Sequence, residues 1–259
     1  MSDPSSTATA QAPRISVQGV TMRFGDVEAL HRVDLDFREN EFVAVVGASG
    51  CGKSTLLSII GGLLAPTEGD VLVDGEPVTG PGRDRGIVFQ TPALLPWLTA
   101  QGNVEFALQG EPMSRAERRE VARARLQDVK LSGFEEAYPA QLSGGMQQRL
   151  ALARSLSYRP SILLMDEPFG ALDALTRQEM QLLLTQVWEA NRMTVMMVTH
   201  DIDEAIYTAD RVVVMTPRPG TIREEIKIDL PRPRMQAEMD SDLFRDYKTR
   251  IWDLIHERP

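Results

Sequence analysis

The run Gly47-Ala48-Ser49-Gly50-Cys51-Gly52-Lys53-Ser54 satisfies the pattern G-x-x-x-x-G-K-[ST] in full. Glycines let the backbone approach a polyphosphate, and free N–H groups at a helix start bind its oxygens. Lys53 then reaches the β and γ phosphates, and the Ser54 hydroxyl is a ligand for Mg²⁺. Far downstream, the apolar run Ile162-Leu163-Leu164-Met165 ends in Asp166-Glu167. A buried parallel strand presents its carboxyl end at the crevice where ligands sit. Asp166 is thereby placed to hold Mg²⁺ through water, and Glu167 to polarise an attacking water. Alone, a carboxylate pair at a strand end is usually a solvated turn; paired with the phosphate loop, it reads as chemistry.

The surrounding pattern supplies elements to position these groups. Phe42 to Val46 is an apolar strand leading into the loop, and Leu56, Ile59, Ile60 and Leu63 form a buried stripe on the helix after it, which Gly61-Gly62 ends. Val33, Leu35 and Phe37 alternate with polar residues, and Asp74-Gly75 is a hairpin signal, so the front section is antiparallel. From Thr91 to Gln141 strand signals fade, and Ser114-Arg115-Ala116-Glu117 is a capping box opening a charged helix through Leu126. Its arginines, 115, 118, 119, 123 and 125, read as a solvated face with internal ion pairs. Beyond Leu142, helices alternate with the short apolar runs Ile162–Met165, Val195–Val198 and Val212–Met215, which predicts a parallel sheet covered on both faces. A last helix spans about Ser241 to Glu257, with Leu243, Tyr247, Ile251 and Leu254 in register.

Composition sets limits. The chain has 259 residues, 42% hydrophobic and 25% charged, so it should fold around a sizeable core. Its 28 basic and 37 acidic residues give a net charge of -9, which disfavours nucleic acid or an anionic bilayer as a non-specific partner. The single cysteine, Cys51, excludes an intramolecular disulfide, and Met1 to Pro13 has the makeup of a flexible tail rather than a secretory signal. A reducing, cytosolic setting is expected. The longest apolar run, Leu56 to Ala65, is half of the roughly 20 residues a membrane-spanning helix needs, so any work at a membrane requires docking on other chains.

Leu142-Ser143-Gly144-Gly145-Met146-Gln147-Gln148-Arg149, just upstream of Asp166-Glu167, resembles the signature of ATP-binding cassette (ABC) ATPases. The resemblance runs from about Ile15 to Arg234. It implies an α/β fold of the P-loop NTPase class: a RecA-like mixed or parallel sheet core, an N-terminal antiparallel β subdomain and an inserted α-helical subdomain. The implied division is a tail at 1–13, an ATPase domain at 14–234 with the helical insertion at about 91–155, and a C-terminal helical extension at 235–259. The implied ligands are ATP and Mg²⁺. Nucleotide contact is implied for Gly47 through Ser54 and Thr55, with Phe24 stacking on adenine. By the same resemblance Gln90 looks like the loop glutamine sensing Mg²⁺ and the γ-phosphate, Asp173 like the carboxylate coupling two sites, and His200 like the switch histidine. Ser143, Gly144, Gly145 and Gln147 close over the γ-phosphate of a second cassette, so two nucleotides lie between two copies. Cys51 needs no redox role, and His31 and His256 read as structural.

Ala93 through Thr99, Asp166 through Arg177, Pro217-Arg218-Pro219-Gly220 and Asp229 through Arg232 together look like the importer ATPases of the nitrate, aliphatic sulfonate and taurine group. Such importers pair two cassettes with two permease subunits and a separate solute-binding protein, at the cytoplasmic face of the inner membrane. Leu94 to Thr99, close to Gln90, then faces the permease, with Trp97 as anchor. Asn40 stands where glycine is common, and Phe24 replaces the commoner tyrosine. A soluble ABC ATPase of repair, chromosome or translation type lacks support, because neither a long coiled coil nor a second cassette is seen. A switch without turnover is disfavoured by intact Glu167, Gln90 and His200, and a GTPase by the missing Asn-Lys-x-Asp.

Overall fold

The computed structural model describes residues 12–234 and 236–256, so most of the expected tail at 1–13 and the end of the last helix at Glu257 lie outside the described residues. The front strands β1 (Ile15–Phe24) and β2 (Val27–Phe37) pair antiparallel, and the alternation read from Val33, Leu35 and Phe37 buries those side chains. β3 (Phe42–Gly47) is wholly buried and feeds helix α1 (Lys53–Ile60) through the phosphate loop. β4 (Glu68–Val73) then pairs with the far side of β1 and turns into β5 (Glu76–Pro77). Asp74 and Gly75 take φ of 52° and 82°, the left-handed pair that a two-residue hairpin requires.

After β6 (Arg85–Val88) comes the helical section: α2 (Ala100–Ala107), α3 (Arg115–Asp128), a short 3₁₀ turn at Pro139–Gln141 and α4 (Gly144–Leu156). Ser114 and Glu117 form the expected reciprocal cap of α3, which buries only Ala122 and Leu126. Of its arginines, Arg125 pairs within the helix with Asp128, whereas Arg119 and Arg123 reach across to Glu105 and Gln101 of α2. Strand and helix then alternate through β7 (Ile162–Asp166), α5 (Ala174–Asn191), β8 (Thr194–Val198), α6 (Ile202–Thr208) and β9 (Arg211–Met215). β10 (Ile222–Lys227), α7 (Gln236–Met239) and α8 (Asp242–His256) complete the described chain.

The large sheet has strand order β10-β9-β3-β8-β7-β6, parallel except for β10. It is covered on both faces, as its apolar runs require. Within β3, Val43 and Val45 join the core shared with α1 and the antiparallel sheet, whereas Phe42, Ala44 and Val46 join the core under α4, α5, α6 and α8. Because β3, β6, β7, β8 and β9 run the same way, the segments leaving them, which carry Lys53, Gln90, Glu167, His200 and Arg218, all emerge at one edge. That edge positions the site.

Two apolar stripes differ from expectation. Leu63 is 43% exposed, because the helix stops at its cap Gly61 and the chain turns away before reaching it. Leu243 is likewise exposed, and α8 buries Phe244 and Ile251 with Tyr247 and Leu254 packed alongside. The Ser241 hydroxyl accepts the Phe244 N–H (3.2 Å) and so sets the rotation of α8. The extension is fastened to the body by the Tyr247 hydroxyl, which accepts the Asp229 N–H (3.1 Å), and by the Lys248–Asp203 ion pair (2.8 Å). No helix among the described residues is long and apolar enough to cross a membrane.

Candidate active site

A cavity of about 780 Å³ opens at the carboxyl edge of the parallel sheet. Phe24, Val27 and Ala29 form one wall, and Ser49, Gly50, Gly52, Lys53, Ser54 and Thr55 form the floor. Glu167, His200 and Arg218 complete the lining. Phe24 is 49% exposed, an aromatic face available to a planar ligand. Gly47, Ala48 and Cys51 complete the loop without lining the cavity, and Cys51 is buried beneath it.

Lys53 opens α1, where backbone N–H groups lack helical partners and the helix end is positive. Its buried ammonium folds back to donate to the carbonyls of Gly47 (2.9 Å) and Ala48 (3.1 Å). One residue on, the Ser54 hydroxyl donates to Asp166 Oδ1 (2.9 Å). Burial raises the Asp166 pKa above the ordinary carboxylate value, against the opposing pull of that hydrogen bond. A hydroxyl and a desolvated carboxylate side by side are hard oxygen donors that fit Mg²⁺. Among the described residues no group of three or more His, Cys, Asp or Glu could hold a metal by itself.

Glu167 stands where β7 ends, at φ 44°, a left-handed conformation that a non-glycine residue adopts at a cost of order 1–3 kcal/mol. Its N–H is tied to the Val198 carbonyl (2.9 Å), so the turn is fixed by the neighbouring strand. The side chain meets two other loops: Gln90 Nε2 donates to Glu167 Oε2 (3.0 Å), and His200 Nδ1 lies 3.3 Å from the same oxygen. Three strand ends therefore converge on one carboxylate.

His200 sits on a braced turn. The Thr199 hydroxyl donates to Glu204 Oε2 (2.7 Å) and accepts the Asp201 N–H (3.0 Å). Arg177 of α5 lies 3.6 Å from Asp201 and 3.5 Å from Glu204, and also donates to the Leu172 carbonyl (3.2 Å). Burial pushes the Glu204 carboxyl up to about 7.

The remaining expected residues lie elsewhere. Ser143, Gly144, Gly145, Gln147 and Asp173 do not line the cavity. Ser143 caps α4 by accepting the Met146 N–H (3.3 Å), and Gln147 Nε2 donates to the carbonyls of Pro139 and Leu142 (3.1 Å each). Asp173 caps α5, accepting from the Thr176 N–H (3.0 Å) and hydroxyl (2.7 Å), and these bonds hold its carboxyl below the ordinary value. Ser143, Gly144 and Asp173 are partly or largely exposed.

Sequence reasoning missed the residues that hold the Gln90 loop. Asn103, fully buried in α2, accepts the Leu95 N–H (2.8 Å) and donates to the carbonyls of Leu95, Leu98 and Thr99. From α4, Gln148 donates to the Phe89 carbonyl (3.3 Å) and Arg154 to that of Ala93 (2.5 Å). The signal available was a polar residue on the apolar face of each helix. Trp97, at the tip of the loop so held, is 69% exposed.

Residues 30–170 match the family model described as ABC transporter. A putative ATP-binding protein of Brucella abortus (strain 2308) is 52% identical over 248 residues, covering 95% of each chain. The nitrate import ATP-binding protein of Synechococcus elongatus is 43% identical over 98% of this chain and 96% of its own. Among solved structures, an ATP-binding cassette in a dimeric post-hydrolysis state bound to ADP and phosphate superposes with TM-score 0.73 at 38% identity, covering 83% of this chain and 98% of that one.

Proposed function

Because this chain belongs to the ABC transporter family and is an ATPase of that family, we propose that two copies of it close around two ATP molecules to power an importer for a small anion of the nitrate, sulfonate or taurine type. The observation that carries the reading is the convergence of Gln90 and His200 on Glu167 beside a complete phosphate loop. In the proposed reaction Lys53 and the loop N–H groups hold the β and γ phosphates, and Phe24 receives the adenine. Ser54 and Asp166 would hold Mg²⁺, assisted by Gln90; when bound, the ion neutralises phosphate charge. Glu167 polarises a water whose oxygen forms a bond to the γ-phosphorus as the bond to ADP breaks, with His200 orienting the carboxylate. ADP and phosphate then leave, and the pair reopens.

Ser143, Gly144 and Gly145 of the facing copy supply the second half of each chamber. The dimeric state of the ADP-bound cassette of similar fold supports this arrangement. The loop at Leu94 to Thr99, with Trp97 at its tip, is the proposed seat of a permease subunit at the cytoplasmic membrane face, and a separate solute-binding protein completes the importer. The nitrate import role named for the relative from Synechococcus elongatus supports the anion class. Replacing Glu167 by Gln tests the core of the reading. Hydrolysis should fall by about 10²–10³-fold while ATP binding persists, as measured by steady-state turnover and equilibrium titration. Near-normal turnover by that variant would remove Glu167 from its assigned role.

A further inference from the structure

Arg218 is an exposed arginine between Pro217 and Pro219, on the segment that follows β9, yet it lines the same cavity as Lys53 and Ser54. The segment is not loosely attached. The Thr216 N–H donates to the Thr221 carbonyl (3.0 Å), and the Thr216 hydroxyl accepts the Thr221 N–H (3.0 Å), closing a tight loop with Arg218 near its tip. Gly220 pins that loop to the cavity wall: its N–H donates to the Ala29 carbonyl (3.0 Å), and its own carbonyl accepts the His31 N–H (3.0 Å). Gly220 also packs so closely on the phosphate loop that a Cβ there would stand 2.0 Å from the Cys51 carbonyl oxygen, so only glycine fits.

The guanidinium is oriented as well as delivered. Arg218 Nε donates to the Gly50 carbonyl (3.2 Å), at the crest of the phosphate loop. Among the described residues its terminal nitrogens have no hydrogen-bond or ion-pair partner. An arginine that is held at Nε and lines the same cavity as Lys53 keeps its planar outer fork for paired bonds to phosphate oxygens. We propose that Arg218 is a nucleotide-contacting residue, a second cation that binds the polyphosphate of ATP and ADP beside the phosphate loop. The inference rests on the reading of the cavity as an ATP site.

Equilibrium binding of ATP, ADP and adenosine to the full chain tests it. In Arg218→Gln, affinity for ATP and ADP should fall about tenfold, the scale of a charge-assisted hydrogen bond, with adenosine affinity unchanged. Arg218→Lys keeps the charge but loses the planar fork and should fall between the two; it carries the test if the glutamine variant does not fold. ATP affinity equal to that of the unaltered chain in these variants, or an equal loss for adenosine, would overturn the inference while leaving the ATP site intact. Failure of the unaltered chain itself to bind ATP or ADP would remove the ATP reading, and this inference with it.

Discussion

The two proposed anion-binding loops of this chain, at Lys53 and at Ser143, are built in different ways. Around Lys53, groups from five parallel strand ends are drawn together and held under load: a buried ammonium, a desolvated Asp166 and a left-handed Glu167. Around Ser143 the polar groups satisfy one another locally, through the caps by Ser143 and Asp173 and the clamp by Gln147. The first region is organised for a ligand at a cost to the chain alone. The second is a relaxed surface with its helix start turned outward. That contrast is what the proposed dimer requires, since a loop that completes a neighbour's site must be stable and open before the neighbour arrives.

Complementation is the sharpest way to break this division. Lys53→Ala and Ser143→Arg should each abolish turnover when assayed alone. In mixed dimers both lesions fall in one chamber and the other is intact, so mixing should restore activity that neither variant has. Turnover unchanged on mixing would mean that both loops serve one nucleotide within one chain.

The division was only partly legible in the sequence. Lys53 and Asp166-Glu167 could be read because the phosphate pattern and the apolar strand are local in the chain. That Gln90 reaches Glu167 depends on β6 pairing with β7, with Val88 opposite Met165, which no local pattern states. Asn103 stands in sequence only as a polar residue on the apolar face of α2, and the loop it holds is not stated there. Arg218 resembles a tail residue among prolines, because its closeness to Gly50 is set by β9 lying beside β3. Asn40, noted as a departure from glycine, proves to have φ 60°, a conformation asparagine tolerates better than most residues. The misread positions, Leu63 and Leu243, flank helix ends, where periodicity gives way to cap geometry.

A second expected effect concerns the load under His200. Glu204 has a folded pKa of about 7, above its ordinary value, owing first to burial. The native chain therefore binds more protons than the unfolded chain between the ordinary carboxylate range and pH 7, and stability falls as pH rises through that interval. Asp201 adds repulsion, while Thr199, Arg177 and His200 oppose the shift. Glu204→Gln should flatten the profile and exceed the unaltered chain in stability at pH 8 by roughly 3 kcal/mol at most. Denaturant titrations across pH 5 to 8 measure this; parallel profiles for the two proteins would show that Glu204 carries no load.

The smallest effect separates the two regions by sign. Asp166 is held above the ordinary carboxylate value by burial, and Asp173 below it by the Thr176 bonds. The Asp166 contribution to stability is thus lost as pH rises, and that of Asp173 is lost as pH falls below its ordinary value. Near neutrality, Asp166→Asn relieves a partly desolvated charge. It should stabilise the nucleotide-free chain by no more than about 1 kcal/mol, because water still screens a half-buried carboxylate, while abolishing turnover. Asp173→Ala removes a cap and should lower the melting temperature by a few degrees. Thermal unfolding without nucleotide compares the pair directly. If both replacements shift the melting temperature the same way, the carboxylate beside the phosphate loop is not held for a cation, and the two loops differ in position alone.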